Sequence, residues 1–565
     1  MTRCVRVVTE NAAVDRAFDY EVPDALAHVG VGDRVRVDFN HRSLRAWVVA
    51  ETPASRDVKA VKKWLGLGPA PQMIELLAWA ARRWCAPLSR FLLAASPATV
   101  VRQLPPAPPP APVDDSVASL ASVVAPGVVL ASPSSDPLGL VVHAHSSTLD
   151  VEGSLLVLVP TEAWAQRLRG RLEQRGLAVA QGDAQWDRMR AGWPVIVGAR
   201  GAALAPTPRL RAAVVIDADD EALRSEASPT WDAASLVHER CRRDGAPWWF
   251  TSVAPSPRLL AWGDPRPWGE VEGGWPAVEV VDRRGRDPFE GVLAAPALRA
   301  AHRALEGDDA VAVAVILQRL GHGRLFACRH CGELARCGVC ARAEIEREGQ
   351  LCCDEGHEPR ANFCRACGAT NLRKVRVGVS TLARDVAAQL GQRVDEVTAA
   401  SSSEVGARVV VGTEAVFARM RRAGVVIFVD FDQYLLAPRE SARRAALMAV
   451  AKAGRLVGGR AEARGTVIVQ TRRHDEVIDA ALSGDVRAVI EADRANAELL
   501  NLPPYGALAR VSGTSAEDFV AQLGAAVSVR RVGEEYVVRA GDLDTLCDTL
   551  NRASRPPGRL RVAVE

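Results

Sequence analysis

Short aliphatic runs alternate with amphipathic stretches along most of the chain. Near the start, runs at 4–9, 34–39 and 46–50 read as strands, with Gly30, Gly32 and Asp33 marking a turn between them. Positions 74–84 then repeat apolar residues at helical spacing. Leu104-Pro-Pro-Ala-Pro-Pro-Pro-Ala-Pro112 interrupts both patterns and reads as an extended, semi-rigid spacer, hence a domain boundary. From residue 136 the pattern becomes α/β. Runs at 140–142, 155–159, 177–180, 195–197, 212–216 and 248–251 have the look of buried parallel strands, with helical stretches such as 162–175 and 231–243 between them. A second series follows at 278–281, 310–316, 409–411, 425–429 and 466–469, and the chain ends on a strand-like run at 559–564. Strand–helix alternation of this kind predicts two doubly wound lobes. The longest aliphatic run, 310–317, is strand-sized, far from the ~18 apolar residues of a membrane helix. The first ten residues carry no signal-peptide core, so a cytoplasmic protein is expected.

Length changes this picture little. At roughly 150 residues per domain, 565 residues suggest about four domains. A hydrophobic share of 48% with 25% charged residues is ordinary for globular proteins and excludes disorder as the main state. A net charge of +3 does not announce a nucleic-acid binder. The kind of basic residue matters more. Of 71 basic residues five are lysines (Lys59, Lys62, Lys63, Lys374 and Lys452), and no Gly-Lys pair occurs. A phosphate-binding loop of the Gly-Lys-Ser/Thr type needs its lysine to reach the β and γ phosphates. Ordinary P-loop hydrolysis of ATP is therefore disfavoured.

Eight of the 12 cysteines fall between Cys328 and Cys367. They read Cys328-Arg-His-Cys331, Cys337-Gly-Val-Cys340, Cys352-Cys353 and Cys364-Arg-Ala-Cys367. A Cys-x-x-Cys knuckle presents two thiolates to one tetrahedral ion, and two knuckles complete a zinc site. Gly332 and Gly368 suit the tight turn that follows two of the knuckles. Cys353 lacks a cysteine partner three residues on, but His357 stands four residues beyond it. Two zinc ions are expected, held by Cys328, Cys331, Cys337, Cys340, Cys353, His357, Cys364 and Cys367; whether His357 or Cys352 completes the second site stays open. A redox dithiol would want a βαβ setting that is missing here.

A set of short motifs keeps one order along the chain. Phe18-Asp-Tyr20 with Val22-Pro23, Val31-Gly-Asp-Arg-Val-Arg-Val37, Lys59-Ala-Val61 and Trp84-Cys-Ala-Pro-Leu-Ser89 come first. Val157-Leu-Val-Pro160, Val197-Gly-Ala-Arg-Gly-Ala202 and Ser252-Val-Ala-Pro-Ser256 follow in the first lobe. Val411-Gly-Thr413, Pro438-Arg439, Gly465-Thr-Val-Ile-Val-Gln-Thr471 and Leu502-Pro-Pro-Tyr-Gly506 lie beyond the cysteines. The ordered series, with the cysteine cluster, resembles the PriA family (primosomal protein N′), superfamily 2 DNA helicases of replication restart. The resemblance implies two RecA-like superfamily 2 helicase lobes in an α/β chain, an inserted zinc-binding module, an N-terminal αβ DNA-binding domain and a small C-terminal α+β domain. Expected boundaries are 1–103 for the 3′-end DNA-binding domain, 104–135 for the Pro-rich linker, 136–276 for lobe 1, 277–494 for lobe 2 with the zinc module at 325–375, and 495–565 for the C-terminal domain. A winged-helix domain, usual in the family, is missing from the linker. The resemblance also implies that Phe18, Asp19, Tyr20 and Lys59 read a DNA 3′ end, the rings by stacking, Asp19 on a base edge and Lys59 at the terminal phosphate or hydroxyl.

Three departures fall where the family handles ATP. Its Gly-rich Lys-Thr loop is matched here to His143-Ala-His-Ser-Ser-Thr148. Its Asp-Glu-Glu-His becomes Asp217-Ala-Asp-Asp220, so Ala218 replaces the carboxylate that would activate water. Its arginine-rich sixth motif becomes Ala451-Lys-Ala-Gly-Arg-Leu-Val-Gly-Gly-Arg460, where Arg455 keeps one arginine but not the spacing. Ser146, Ser147, Thr148, Asp217, Asp220 and Arg455 are thus the expected remains of a nucleotide site. Phosphoryl transfer depends on charges placed around the γ-phosphate, and three such elements fail together. The expected protein is a monomeric, non-hydrolysing scaffold with no membrane partner. It binds forked and single-stranded DNA and meets primosome components and single-strand-binding protein. Two rival readings remain: an active 3′ to 5′ helicase with a rebuilt ATP site, and a zinc-ribbon scaffold for RNA or protein. Arg373, Lys374 and Arg376, and Arg439, Arg443 and Arg444, are candidate phosphate contacts, whereas Asp430 and Asp432 read as the structural end of a buried strand.

Overall fold

A computed structural model describes residues 3–12, 14, 16–53, 58–113, 124–269, 271–284, 291–307, 312–318, 326–340, 344–347, 349–353, 357–374, 379–398, 401, 405–437, 439–462 and 464–565. Pro438, Arg376 and the first two residues of the expected 310–316 strand lie outside these.

The N-terminal module is an antiparallel sheet of β1 (Arg3–Thr9), β2 (Ala17–Val22), β3 (Arg34–Phe39), β4 (Arg42–Thr52) and β5 (Lys63–Gly66), in the order β2-β1-β4-β3-β5. Gly32 sits at φ +93°, and a Cβ there would lie 2.1 Å from the Pro69 carbonyl oxygen, so glycine is required. Helix α1 (Pro71–Arg83) buries Met73 and, within the periodic stretch of the sequence, Ile74, Leu76, Leu77 and Ala80.

Lobe 1 is a seven-stranded parallel sheet of β6 (Gly127–Ala131), β7 (Ser154–Leu158), β8 (Val179–Ala180), β9 (Val195–Gly198), β10 (Leu210–Val215), β11 (Trp248–Ser252) and β12 (Arg266–Trp268), ordered β12-β6-β11-β10-β7-β9-β8. Strands β7, β9 and β10 are buried at every position, as parallel strands covered on both faces must be. The covering helices include α2 (Pro137–Ser146), α3 (Glu162–Glu173) and α4 (Ala233–Asp244).

Two expectations fail here. Positions 140–142, expected as a strand, lie inside α2. A three-residue aliphatic run does not tell a strand from a buried helix. The deciding signal was Asp136-Pro137: the Asp136 carboxylate caps the helix by accepting from Leu138 N, and Pro137 fills the first turn. The first strand of the lobe is β6 instead. The polyproline run also does more than space two domains. His145 Nε2 donates to the Ala111 carbonyl (2.8 Å), and Arg211 donates to His145 Nδ1 (2.8 Å) and Thr148 Oγ1 (2.6 Å), which ties the run to lobe 1. Burial lowers the Arg211 guanidinium to about 10.

Lobe 2 comprises β13 (Ala277–Asp282), β14 (Val313–Ile316), β20 (Val394–Val397), β21 (Val409–Gly412), β22 (Val425–Phe428) and β23 (Thr466–Thr471), parallel in the order β13-β23-β22-β14-β21-β20. Between β14 and β20 the chain makes two small antiparallel sheets, β15 (Phe326–Cys328) with β19 (Leu372–Lys374), and β16 (Ile345–Arg347), β17 (Gln350–Cys352) and β18 (Arg360–Ala361). Helix α5 (Ala442–Val457) packs in lobe 2 on the side that meets lobe 1. Both lobes are α/β units built on a parallel sheet, as expected. The last sheet, β25 (Ser528–Val532), β26 (Glu535–Ala540), β24 (Ala507–Ser512) and β27 (Arg561–Val564), carries α6 (Leu543–Arg552). One apolar core, including Leu77, Trp84, Leu236, Phe250, Phe519 and Leu546, joins the N-terminal module, lobe 1 and this last sheet.

Candidate metal centres, inter-lobe cleft and DNA-end module

The cysteines form two nested clusters. Pairing of β15 with β19, Cys328 opposite Leu372, brings the first knuckle beside the last, and Cys328, Cys331, Cys364 and Cys367 converge. Their Sγ atoms are 3.5 Å apart for Cys328–Cys367 and for Cys331–Cys364. Gly332 and Gly368 adopt φ +74° and +75°, and each donates its N–H to the carbonyl of the knuckle's first cysteine. The second cluster is Cys337, Cys340, Cys353 and His357. Its contacts are 3.4 Å for Cys340–Cys353, 3.5 Å for Cys337 to His357 Nδ1 and 3.4 Å for Cys353 to the same nitrogen. Neighbouring residues leaving a strand end point apart, so Cys353 enters the cluster while Cys352 turns away to the Gln350 carbonyl. A tetrahedral ion with ~2.3 Å bonds to sulfur sets its ligands ~3.7 Å apart, which fits both donor sets. The local apolar core is Phe326, Ala335 and Leu351, too small to hold such a module alone. The two clusters have the composition and spacing to bind metal ions.

The cleft between the lobes departs from the expected one. The loop after β6, where a phosphate loop would stand, is Ser132-Pro-Ser-Ser-Asp136, not 143–148. Ser146, Ser147 and Thr148 lie instead at the far end of α2, with Thr148 buried and donating to the Ala144 carbonyl (2.7 Å). The Ser132–Asp136 loop bonds to itself: Ser135 Oγ meets both the Ser132 N–H (3.2 Å) and Ser132 Oγ (2.9 Å). At the start of α2, Pro137 has no N–H and the Leu138 N–H is taken by the Asp136 carboxylate (3.1 Å). A helix N-terminus binds anions through such free amides. Here a side-chain carboxylate stands in the anion's place.

Asp217 is 1% exposed and sits at φ +52° on the turn after β10. Arg455 of α5 donates Nη1 to Asp217 Oδ2 (2.6 Å) and Nη2 to Oδ1 (2.8 Å), and lies 5.0 Å over the Trp164 ring. Three residues earlier on α5, Lys452 reaches Asp220 (3.0 Å) and Glu414 (3.2 Å). Burial works against its ammonium, but the two carboxylates win and raise its pKa. Arg439 pairs with Glu221 across the same boundary. Asp219 turns inward and accepts from Ser252 Oγ (3.0 Å) and the Ser256 N–H (2.9 Å), which joins two of the lobe 1 motifs. Sequence reasoning missed Asp136, Asp219, Glu414 and Lys452. The scarcity of lysine, which leaves Lys452 conspicuous in an arginine-rich chain, was the available signal.

In the N-terminal module, Phe18, Asp19 and Tyr20 lie on β2 at the sheet edge. Alternation sends Asp19 to one face and Phe18 and Tyr20 to the other. Asp19 accepts from Arg6 Nε (2.9 Å) and Nη2 (3.3 Å), its cross-strand neighbour. Tyr20 is 4% exposed and donates its hydroxyl to the Asp38 carbonyl (2.9 Å), so it has no ring face free to stack on a base. Phe18 is half-buried, 4.7 Å from Phe39 and 4.8 Å below the Arg16 guanidinium. Lys59 is exposed, and its carbonyl accepts from the Glu21 N–H. Of the expected end-binding side chains, Asp19 thus lies on the opposite face of β2 from Phe18 and Tyr20, and Tyr20 is buried.

Comparison with known proteins agrees with the motif series. Residues 6–97 match the 3′DNA-binding domain (3′BD) of PriA. The replication restart protein PriA of Synechocystis is 24% identical over 413 residues, 63% of this chain and 48% of that protein. Its counterpart from Treponema pallidum is 28% identical over 350 residues, 56% of this chain and 51% of that protein. The chain thus spans about half the length of the relatives it matches. Among solved structures it is similar to a DEAD box protein from the hyperthermophile Methanococcus jannaschii (TM-score 0.29, 12% identity, 66% of this chain and 86% of that one). It is also similar to S. cerevisiae Dbp5 bound to RNA and ADP BeF3 (TM-score 0.34, 10% identity, 76% and 92%). No helix among the described residues is long and apolar enough to cross a membrane.

Proposed function

We propose that this PriA-like chain is a DNA-binding factor of replication restart that works without hydrolysing ATP. It grips abandoned or stalled forks and single-stranded DNA through the N-terminal module. It then promotes primosome assembly and reloading of the replicative helicase, with primosome components and single-strand-binding protein as partners. It acts as a cytoplasmic monomer, on the domain boundaries read from the sequence. Zinc occupies both cysteine clusters, four thiolates in one and three thiolates with the His357 imidazole in the other, and supplies folding energy rather than chemistry. On the N-terminal module, Asp19 serves as the base-edge acceptor, Lys59 meets phosphate, and Tyr20 supports β2 from the core side.

The observation that carries the non-hydrolysing part is the start of α2. Its first N–H is absent at Pro137, its second is taken by Asp136, and the Asp217 carboxylate of the same lobe is engaged from across the cleft by Arg455. Among the described residues, no triad of amide nest, lysine and metal carboxylate is left to hold a triphosphate. The test is an ATPase assay with forked DNA. No DNA-stimulated turnover is expected; a rate above about one per second, ordinary for an enzyme, overturns the reading. Competition among a fork with a free 3′ end, a fork with that end blocked, and RNA tests the substrate. The open 3′ end should win; equal binding of RNA would favour the zinc-ribbon alternative.

A further inference from the structure

We propose that Arg455 and Lys452 form a built-in clamp that holds the lobes closed and takes the place of a metal–nucleotide complex, so that clamp and nucleotide exclude one another. This rests on the reading of the cleft as a helicase-type one, but not on DNA binding.

Three observations carry it. The first is charge. Residues three apart on α5 lie on one helix face, so Lys452 and Arg455 present two cations together to lobe 1. Each meets a carboxylate on the turn after β10: Arg455 takes both oxygens of Asp217, and Lys452 sits between Asp220 of lobe 1 and Glu414 of lobe 2. A carboxylate bound by both oxygens to a guanidinium has half its lone-pair sites taken and its charge balanced, which weakens its hold on a divalent ion. The second is close approach. Gly454 lies between the two cations, and a Cβ on it would stand 2.9 Å from Pro276 and 3.3 Å from Pro133. A side chain at this position would push on Pro276 and crowd Pro133 of the loop after β6, so glycine lets α5 approach lobe 1 this closely. The third is space. A cavity of about 720 Å³ remains between the lobes, lined by Ser134, Trp164, Lys452 and Arg455 among others. Room for a nucleotide exists, so the clamp opposes it through charge rather than bulk: Asp217 and Asp220 on lobe 1 are already paired with cations from lobe 2.

The test places a genetically encoded fluorophore pair at exposed Glu152 of lobe 1 and Arg303 of lobe 2 in the full-length, zinc-loaded chain. In the wild type, the inter-lobe distance should be short and unchanged by ATP with Mg²⁺. In Lys452→Ala/Arg455→Ala it should lengthen and broaden, and magnesium-dependent nucleotide affinity should rise at least tenfold as Asp217 is freed. Arg455→Lys, which keeps the charge without the two-pronged contact, should fall between. Gly454→Leu opens the lobes by bulk and leaves both cations in place. It should lengthen the distance with the fold checked by two bound zinc ions. A wild-type distance that shortens with nucleotide, or variants with the wild-type distance, would overturn the clamp. Fork binding, measured on the same samples, separates the outcomes: a chain that fails to bind forks yet stays closed without nucleotide retains the clamp and loses only the fork reading.

Discussion

Arg455 and Asp217 are 238 residues apart in sequence and joined by two parallel hydrogen bonds, 2.6 and 2.8 Å long, across the boundary between the lobes. Asp217 is almost fully buried and Arg455 about a quarter exposed, so the pair is shielded from salt. Removing one partner strands the other. Arg455→Ala should cost about 2–3 kcal/mol, more than Asp217→Asn, which keeps a neutral acceptor. A double-mutant cycle on the denaturant transition of the lobes should return a coupling of at least ~1 kcal/mol. Additive effects would mean that the contact contributes nothing of its own.

The metal clusters make a prediction by count. Elemental analysis should find two zinc ions in the wild type and in Cys352→Ala, and one in Cys364→Ala or Cys353→Ala. His357→Ala should weaken the second site while sparing the first. Chelation should unfold the module, because three buried apolar residues do not sustain it. A Cys352→Ala protein with one ion would reassign the ligand set.

The β2 edge predicts a split between DNA substrates. Asp19→Ala should weaken a fork with a free 3′ end about tenfold, ~1.4 kcal/mol, and leave plain duplex within about twofold. Arg6→Ala, which releases the Asp19 carboxylate from its present partner, should alter binding to the same fork rather than to duplex. Tyr20→Phe should lower stability by about 1 kcal/mol, since only the Asp38 hydrogen bond is lost, and leave end preference unchanged. Equal losses on both DNAs for Asp19→Ala would remove the end-reading role.

His238 gives a pH signature. Its ring stacks on Trp262 at 4.1 Å and 3°, and its pKa is lowered to about 4, chiefly by burial, with Arg258 and Arg242 adding to the effect and Glu239 opposing it. The unfolded chain takes up this proton below about pH 6.5, the folded chain only near 4. The stability the neutral ring contributes is therefore full above pH 6.5 and falls away toward pH 4. Because the ring is partly exposed, we expect about 1 kcal/mol rather than the full linkage value. Thermal unfolding at pH 7 and pH 5 should show a smaller acid loss in His238→Phe than in the wild type; parallel losses would place the sensitivity elsewhere.

What the sequence revealed divides by the range of the interaction that decides it. Most strands of both lobes were legible because a strand covered on two faces is aliphatic along most of its length, as β7 and β21 are, whereas β6, β12 and β20 went unread. The cysteine knuckles were legible because metal coordination is written in a spacing of three. The identity of 140–142 was not, because a short apolar run is ambiguous and the arbiter, Asp136-Pro137, lies outside it. That misreading moved the expected loop position by a whole helix; the loop that follows β6, Ser132–Asp136, likewise carries neither glycine nor lysine. The choice between Cys352 and Cys353 needed the direction of β17. The pairing of Lys452 and Arg455 with Asp220 and Asp217 was illegible because it arises only when two lobes meet. The burial of Tyr20 came from the sheet behind it, not from its neighbours along β2.

The tie from Arg211 through His145 to the Ala111 carbonyl has a further consequence. The N-terminal module is also seated by the Trp186 indole on the Ala95 carbonyl and by Arg82 on Asp548 of α6. A domain fastened at three places does not search on a flexible leash. It behaves as a caliper jaw: a DNA terminus caught at the β2 edge would rest at a set offset from the lobes, and the geometry of the junction, rather than the length of a tether, would decide which branched molecules fit.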